Sequence, residues 1–454
     1  MSAFYSIVSR FQQDRAVHNR IWHMSWPPML ANITTPLLGL VDTMVVGHLG
    51  TATHMGAVAI GASVFSFIFW AFGFLRMGST GLTAQALGKK DVTRVRELLF
   101  QSVLMGFSIG LLLILCRGPI LELAMSLMSP SKEIEPWARV YFEARIMSAP
   151  AVLAGYALIG WFFGIQYSKG PLWVLLVINI ANMILDYYAV YHLNMASDGV
   201  AWATVWSHYI GVILAIFLAA KKLRHMSGAV PVVALIKWRA YIELVQVNRY
   251  LFVRTVLLLI VMSFFTAQSA QQSDAILAAN SVLLTFVLII SNALDGFAFS
   301  VEALCGEAKG ANNPSQFRKT VMLACVWALL TAIGLTAIFW LFGNAIIGFL
   351  TSVPSVKSEA ALYLPWLVWL PLLSVWSFML DGVFIGVTAV KQMQNTMIFS
   401  VLLVFFPLWY ISQPLDNHGL WMSFCCLFVA RGLSLYWCYR QAISTEVWFE
   451  KSCS

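Results

Sequence analysis

The chain has 454 residues, of which 60% are apolar and 11% charged. Soluble domains run at about half apolar and about a quarter charged, so a water-soluble globular protein is excluded. The formal charge of +8 falls in short Lys/Arg clusters between apolar runs, which is the pattern of loops beside a membrane rather than of a nucleic-acid-binding surface. At roughly 20 residues per span the length takes about a dozen helices and leaves no room for a sizeable soluble domain.

Residues Met1 to Arg20 are polar, carry Arg10, Arg15 and Arg20, and lack a short apolar core with a cleavage site. No signal peptide is expected, and the N-terminus is assigned to the cytoplasm. Apolar runs predict six spans at about Ile21 to Val46, Gly56 to Leu87, Leu98 to Met128, Pro136 to Gly164, Leu172 to Leu193 and Gly199 to Ala220. After a polar interruption, Lys221 to Arg239, six more follow at about Tyr241 to Ala267, Ile276 to Cys305, Thr320 to Leu350, Ala360 to Val390, Thr396 to Ile411 and Leu420 to Cys438. The domain boundaries expected from this are 1–220 for an N-lobe, 221–239 for a cytoplasmic linker and 240–454 for a C-lobe.

Basic residues follow every second span: Lys89, Lys90, Arg94 and Arg96 after the second, Lys169 after the fourth, and Lys221, Lys222 and Arg224 after the sixth. Lys309, Arg318 and Lys319 follow the eighth, and Lys391 follows the tenth. The alternate loops hold only Lys132 and Lys357, so both termini are expected in the cytoplasm. The halves also read as copies. Gln85 to Gly88 aligns with Glu307 to Gly310 at a shift of 222 (307 − 85), and Arg96 with Arg318, Gly164 with Gly386 and Lys169 with Lys391 keep that shift. Because six spans are an even number, both copies enter the membrane in the same direction. The expected fold is an all-α integral membrane protein of about twelve helices, in two six-helix lobes related by a pseudo-twofold axis along the membrane normal. The interface of the lobes, open to one side at a time, is the expected place for a substrate cavity.

The first apolar run, Met29 to Gly50, carries one carboxylate, Asp42. An ionisable side chain within a span costs a few kcal/mol or more and marks an ion or substrate pathway. An interfacial position for Asp42 is the alternative. The seven cysteines lack metal-ligand spacing, so neither a disulfide framework nor a metal site is indicated. No constellation for an intramembrane enzyme is visible, and none of the chemistry suggested requires a cofactor.

LVDTMVVGHLG in the first run, FLRMGSTGLTAQALGKKD closing the second, GWFFGIQYSKGP closing the fourth and LDGVFIGVTAVKQM from Leu380 to Met393 resemble the multidrug and toxic compound extrusion (MATE) family, and within it the DinF branch. The resemblance covers nearly the whole chain. It implies export of small organic compounds, often cationic, in exchange for protons or sodium. It also implies an N-lobe cluster of Asp42, Asn182, Asp186 and Thr204, and a bend of the first helix at Pro27. Counted along the helices, Asp42 lies roughly 31 Å and Asp186 roughly 25 Å from the cytoplasmic ends, and Thr204 about 9 Å from the outer end. These are overlapping layers, and Asn182 and Asp186, four apart, share a helix face. Singly, Asn182 and Thr204 are equally readable as interhelical hydrogen-bonding residues.

The cluster is not duplicated: the shift of 222 carries Asp42, Asn182 and Asp186 onto Phe264, Val404 and Leu408. The seventh run lacks the carboxylate of sodium-coupled family members and has Arg254 instead. Arg254 and Asp381 fall at roughly 22 Å and roughly 15 Å from the cytoplasmic side, compatible with a buried pair or with a substrate role. Arg76 and Asp295, at corresponding places near the cytoplasmic ends of the second and eighth runs, are readable as an inner gate or as independent snorkelling residues. His48 and His208 are expected to be polar fillers or interfacial residues.

The expected function is secondary active efflux across a bacterial inner membrane, not enzymatic, with a proton as coupling ion and sodium at the same cluster as the alternative. A lipid-linked or glycolipid flippase of the wider superfamily is the second reading. The partners expected are the organic substrates, protons and membrane lipids, with no nucleic acid.

Overall fold

The structure, a computed structural model, describes residues 14–47, 52–226 and 238–449; the side chains of 33–47, 52, 238 and 240 lie outside the described set. No strand occurs among the described residues. Eleven of their helices are long and apolar enough to cross a membrane. They are Thr53–Gly88, Val92–Leu115, Glu135–Gly164, Lys169–Tyr191 and Ser197–Leu223, then Ile242–Gln272, Asp274–Gly310, Pro314–Leu350, Pro354–Gly386, Val390–Ile411 and Gln413–Ser444. The helix Arg15–Gly47 precedes them, so they are the second to twelfth spans of the expected series.

Where the helices depart from the apolar runs, proline chemistry accounts for it. The third run continues apolar to Met128, but the spanning helix stops at Leu115 and a separate helix, Arg117–Met128, begins after Cys116. Pro119 lacks an N–H and its ring would crowd the Leu115 carbonyl of a continuous helix, so it sits in the first turn of a new one. In the fourth span the helix Glu135–Arg145 gives way to a 3₁₀ turn, Ile146–Ser148, before Ala149–Gly164 resumes. Pro150 lacks an N–H and crowds the carbonyl of Ile146, which favours a break at this point. The eleventh span widens into a π-helical turn, Ser400–Phe405, ahead of Pro407, one of the ways a helix re-satisfies carbonyls freed by proline.

The internal duplication is visible in the backbone itself. Three pairs of non-glycine residues with left-handed φ recur at the shift of 222 (312 − 90): Lys90 at 58° with Asn312 at 48°, Gln166 at 59° with Thr388 at 55°, and Asn194 at 52° with Asp416 at 48°. Asp91 caps the third span by accepting from the Arg94 N–H at 2.9 Å, and Asn313 caps the ninth by accepting from the Gln316 N–H at 3.0 Å. The packing glycines repeat as well. A Cβ on Gly160 would fall 2.3 Å from the Arg76 carbonyl oxygen, and one on Gly382 would fall 2.7 Å from that of Ala298. Equivalent closeness joins Gly164 to Thr80, at 3.0 Å, and Gly386 to Glu302, at 2.5 Å. Small residues let the fourth span lie directly on the second, and the tenth on the eighth.

By contact, the chain forms two compact units, one from Leu30 to Asn248 and the other from residues up to Met29 together with Arg249 to Ser454. The first helix contributes its N-terminal half to the unit built by the C-terminal half of the chain, and the division falls two residues beyond Pro27. Polar contacts hold that half-helix. Arg20 pairs with Glu307 at 2.5 Å, Asp14 pairs with Lys319, and the Trp327 indole N–H donates to His18 Nδ1 at 3.0 Å. Trp22 packs on Trp327 and Phe297.

Within the other unit the basic residues after the second span gather polar partners. Arg96 donates to the carbonyls of Leu223, at 2.8 Å, and Met226, at 2.5 Å, where the sixth span ends. A cation there is favoured by the negative end of the helix dipole. Arg94 reaches Glu243 at 2.8 Å.

Candidate functional site

The fifth and sixth spans pack along each other, and their contact is polar at one level. Asn182 and Asp186 are fully buried and Thr204 is 3% exposed. The Asn182 side-chain amide donates to Thr204 Oγ1 at 3.2 Å, and that hydroxyl donates to the Val200 carbonyl, four residues back, at 2.8 Å. Asn182 Oδ1 is buried and has no hydrogen-bond partner among the described residues. Asp186 follows Asn182 by one turn, so the carboxylate and the carboxamide lie on one face of the fifth span. The structure thus brings Asn182 to Thr204 with Asp186 one turn away. Asp42 belongs by its backbone to the helix Arg15–Gly47, but its side chain is outside the described residues, as is His48 altogether. Pro27 is buried in the interior of that helix, which continues α-helical through it.

In the unit that contains the C-terminal half, Arg254 on the seventh span donates to Asp381 Oδ2 on the tenth at 2.5 Å. The same oxygen accepts from Arg431 on the twelfth. All three are at least nine-tenths buried, and Asp295 lies within electrostatic range of Arg431. Two guanidiniums therefore converge on one carboxylate oxygen and balance its charge, while Asp381 Oδ1 is buried with no hydrogen-bond partner among the described residues. Arg76 lies over the Phe163 ring at 6.0 Å.

Sequence reasoning passed over two residues that the structure makes prominent, Arg431 and Arg145. Arg145, 9% exposed, ends the helix Glu135–Arg145 at the break in the fourth span. Its guanidinium donates to Ser148 Oγ at 2.5 Å and lies over Phe65 and Phe69 of the second span, at 5.6 and 5.4 Å. The Tyr209 hydroxyl donates to the Met147 carbonyl at 3.1 Å, satisfying one of the groups freed by the break. The signal that could have found both arginines is the one that singled out Asp42: a charge inside an apolar run.

The MatE family model matches residues 27–188 and 251–411, two segments that mirror the duplication. DNA damage-inducible protein F of Escherichia coli is 39% identical over 433 residues, which cover 94% of this chain and 93% of that protein. Among solved structures, a mutant of the Vibrio cholerae MATE transporter VcmN superposes with a TM-score of 0.86 at 17% identity, over 96% of this chain and 98% of that one. A MOP superfamily transporter from Pyrococcus furiosus superposes with a TM-score of 0.82 at 18% identity, over 94% and 96%. These two likenesses show a shared fold. The family match over most of the chain and the close relationship to the Escherichia coli protein together establish that this chain belongs to the MatE family of multidrug and toxic compound extrusion transporters.

Proposed function

We propose that the protein exports small organic compounds by secondary active antiport, with a proton as the coupling ion taken up at the cluster of Asp42, Asn182, Asp186 and Thr204. The observation that carries this reading is the complete burial of Asp186 one turn from Asn182, which is itself bonded to Thr204. A carboxylate removed from water, in a cluster that the reading completes with Asp42 of the first helix, is a group whose protonation changes the energy of its surroundings. Proton arrival from the outer side neutralises the cluster, lets the first helix bend near Pro27 and displaces the substrate. Asp42→Asn and Asp186→Asn mimic the protonated acid and do not release the proton, so they fold but do not cycle. The site chemistry is binding and release, with no covalent step and no cofactor.

The C-terminal half is proposed to take no coupling ion, because two guanidiniums, Arg254 and Arg431, already donate to Asp381 Oδ2 and balance its charge. Sodium is the second reading for the N-terminal cluster, favoured by the buried and unpartnered Asn182 Oδ1, an oxygen that a cation would accept as a ligand. We place the protein in a bacterial inner membrane with both termini in the cytoplasm. Single cysteines at Lys90 and Lys391 should then resist an impermeant thiol reagent in intact cells while one at Thr51 reacts. The deciding experiment is transport by purified protein in proteoliposomes, with proton and sodium gradients imposed separately. Export driven by the proton gradient alone, lost in Asp42→Asn and Asp186→Asn, supports the reading; export driven only by sodium overturns the proton assignment.

A further inference from the structure

We propose that Arg145 is an anion-binding residue inside the N-terminal unit, receiving the carboxylate of an amphipathic organic substrate. The inference rests on the export reading for its physiological meaning and on the geometry at the break of the fourth span for its chemistry. A guanidinium carries five N–H donors in a planar fork. Among the described residues one polar contact is formed, from Nη1 to Ser148 Oγ at 2.5 Å, and Ser148 Oγ in turn donates to the Arg145 carbonyl at 2.8 Å. No carboxylate forms an ion pair with Arg145 among the described residues, although the side chain is nine-tenths buried. A buried charge ordinarily has a countercharge.

What holds the guanidinium in place uses few of its N–H donors. Phe65 and Phe69 take its flat face at 5.6 and 5.4 Å, which stabilises a cation without using an N–H. The end of the helix Glu135–Arg145 adds the negative pole of a helix dipole. Tyr156 and His208, both half-buried, lie within electrostatic range of Arg145. An Arg clamped on aromatic faces and still able to donate in parallel is the arrangement that recognises a planar oxyanion bidentately.

Arg145 lies deeper than the acid Asp186. Arg145 stands roughly 15 Å along its helix from Glu135, and His208 roughly 17 Å from Ser197, so they share a layer. Asp186 stands only about 8 Å from Tyr191, whose end of the fifth span is at the same membrane face as Glu135. A substrate carboxylate at Arg145 is thus held about a turn or more deeper than Asp186 and near the level of Asn182, which stands roughly 14 Å from Tyr191. The proposal predicts preference for zwitterionic or anionic compounds over purely cationic ones.

Rhodamine B and its ethyl ester test this, since they differ only in whether one carboxylate is free. Fluorescence anisotropy with the purified full-length protein in detergent reads binding with no ion gradient, so the result is independent of how transport is coupled. The wild type should bind the free acid at least about tenfold more tightly than the ester. Arg145→Gln should abolish that preference while leaving affinity for the ester within about twofold, which also shows that the variant is folded. Arg145→Lys, which keeps the charge and loses the fork, should retain part of the preference. The inference is overturned if the wild type does not prefer the free acid, or if Arg145→Gln weakens both dyes by the same factor.

Discussion

Asp381 Oδ2 accepts from Arg254 at 2.5 Å across 127 residues of sequence, and Arg431 donates to that same oxygen. Three spans of one unit are thereby tied at a single atom. The second arginine changes what a substitution does, because no single arginine is the sole partner of the acid.

Asp381→Asn leaves two buried guanidiniums without their shared carboxylate and should cost about 3–5 kcal/mol, the range for breaking a buried pair from one side. Arg254→Gln should cost less, since Arg431 still satisfies Asp381. Thermal unfolding of the purified variants in detergent gives the order. Equal losses for the two would mean that Arg431 does not support the acid.

The glycine contacts between the tenth and eighth spans predict a sharp contrast within one residue type. Gly386→Ala puts a Cβ 2.5 Å from the Glu302 carbonyl oxygen, and Gly382→Ala puts one 2.7 Å from that of Ala298. Backbone cannot move aside as a side-chain tip can, so each should lose about 1–3 kcal/mol through overpacking. Gly334→Ala and Gly348→Ala, where nothing lies within 4 Å, should be neutral or stabilising by up to about 1 kcal/mol, because the unfolded chain then has less conformational entropy to lose. Unfolding midpoints for the four variants check both halves of the statement.

Thr204→Ala removes the acceptor of the Asn182 amide and leaves a buried donor without a partner. The expected cost is about 1–3 kcal/mol, together with slower gradient-driven export. Thr204→Ser keeps the hydroxyl and should restore both. Stability without recovery of transport in the serine variant would show that the threonine methyl, rather than the hydrogen bond, matters for the cycle.

The clasp on the first helix should be weak by the same reasoning. Arg20 and Glu307 meet at 2.5 Å, but their side chains are 40% and 25% exposed, and such pairs contribute about 0–1 kcal/mol. A double-mutant cycle on Arg20→Gln and Glu307→Gln should return a coupling energy in that range that declines with added salt. A coupling above about 2 kcal/mol would exceed what an exposed pair supplies.

The sequence by itself determined the membrane class, the series of spans and the duplication. Each is a property of composition and order along the chain: apolar length is set by bilayer thickness, and a constant shift of 222 needs no knowledge of contact. The resemblance of its motifs to the family marked Asp186, Asn182 and Thr204, and the helical rise placed Arg254 and Asp381 at compatible depths. Only the tertiary structure decided which of these groups meet. Depth along a helix says nothing of the direction a side chain faces around it, so Arg431 at Asp381 and Arg145 on Phe65 and Phe69 were not legible from spacing. The same limit applies to the first helix, whose N-terminal half packs with the C-terminal half of the chain. Its partners Glu307, Lys319 and Trp327 lie about 300 residues away in sequence, and helix packing, not chain order, determines that choice.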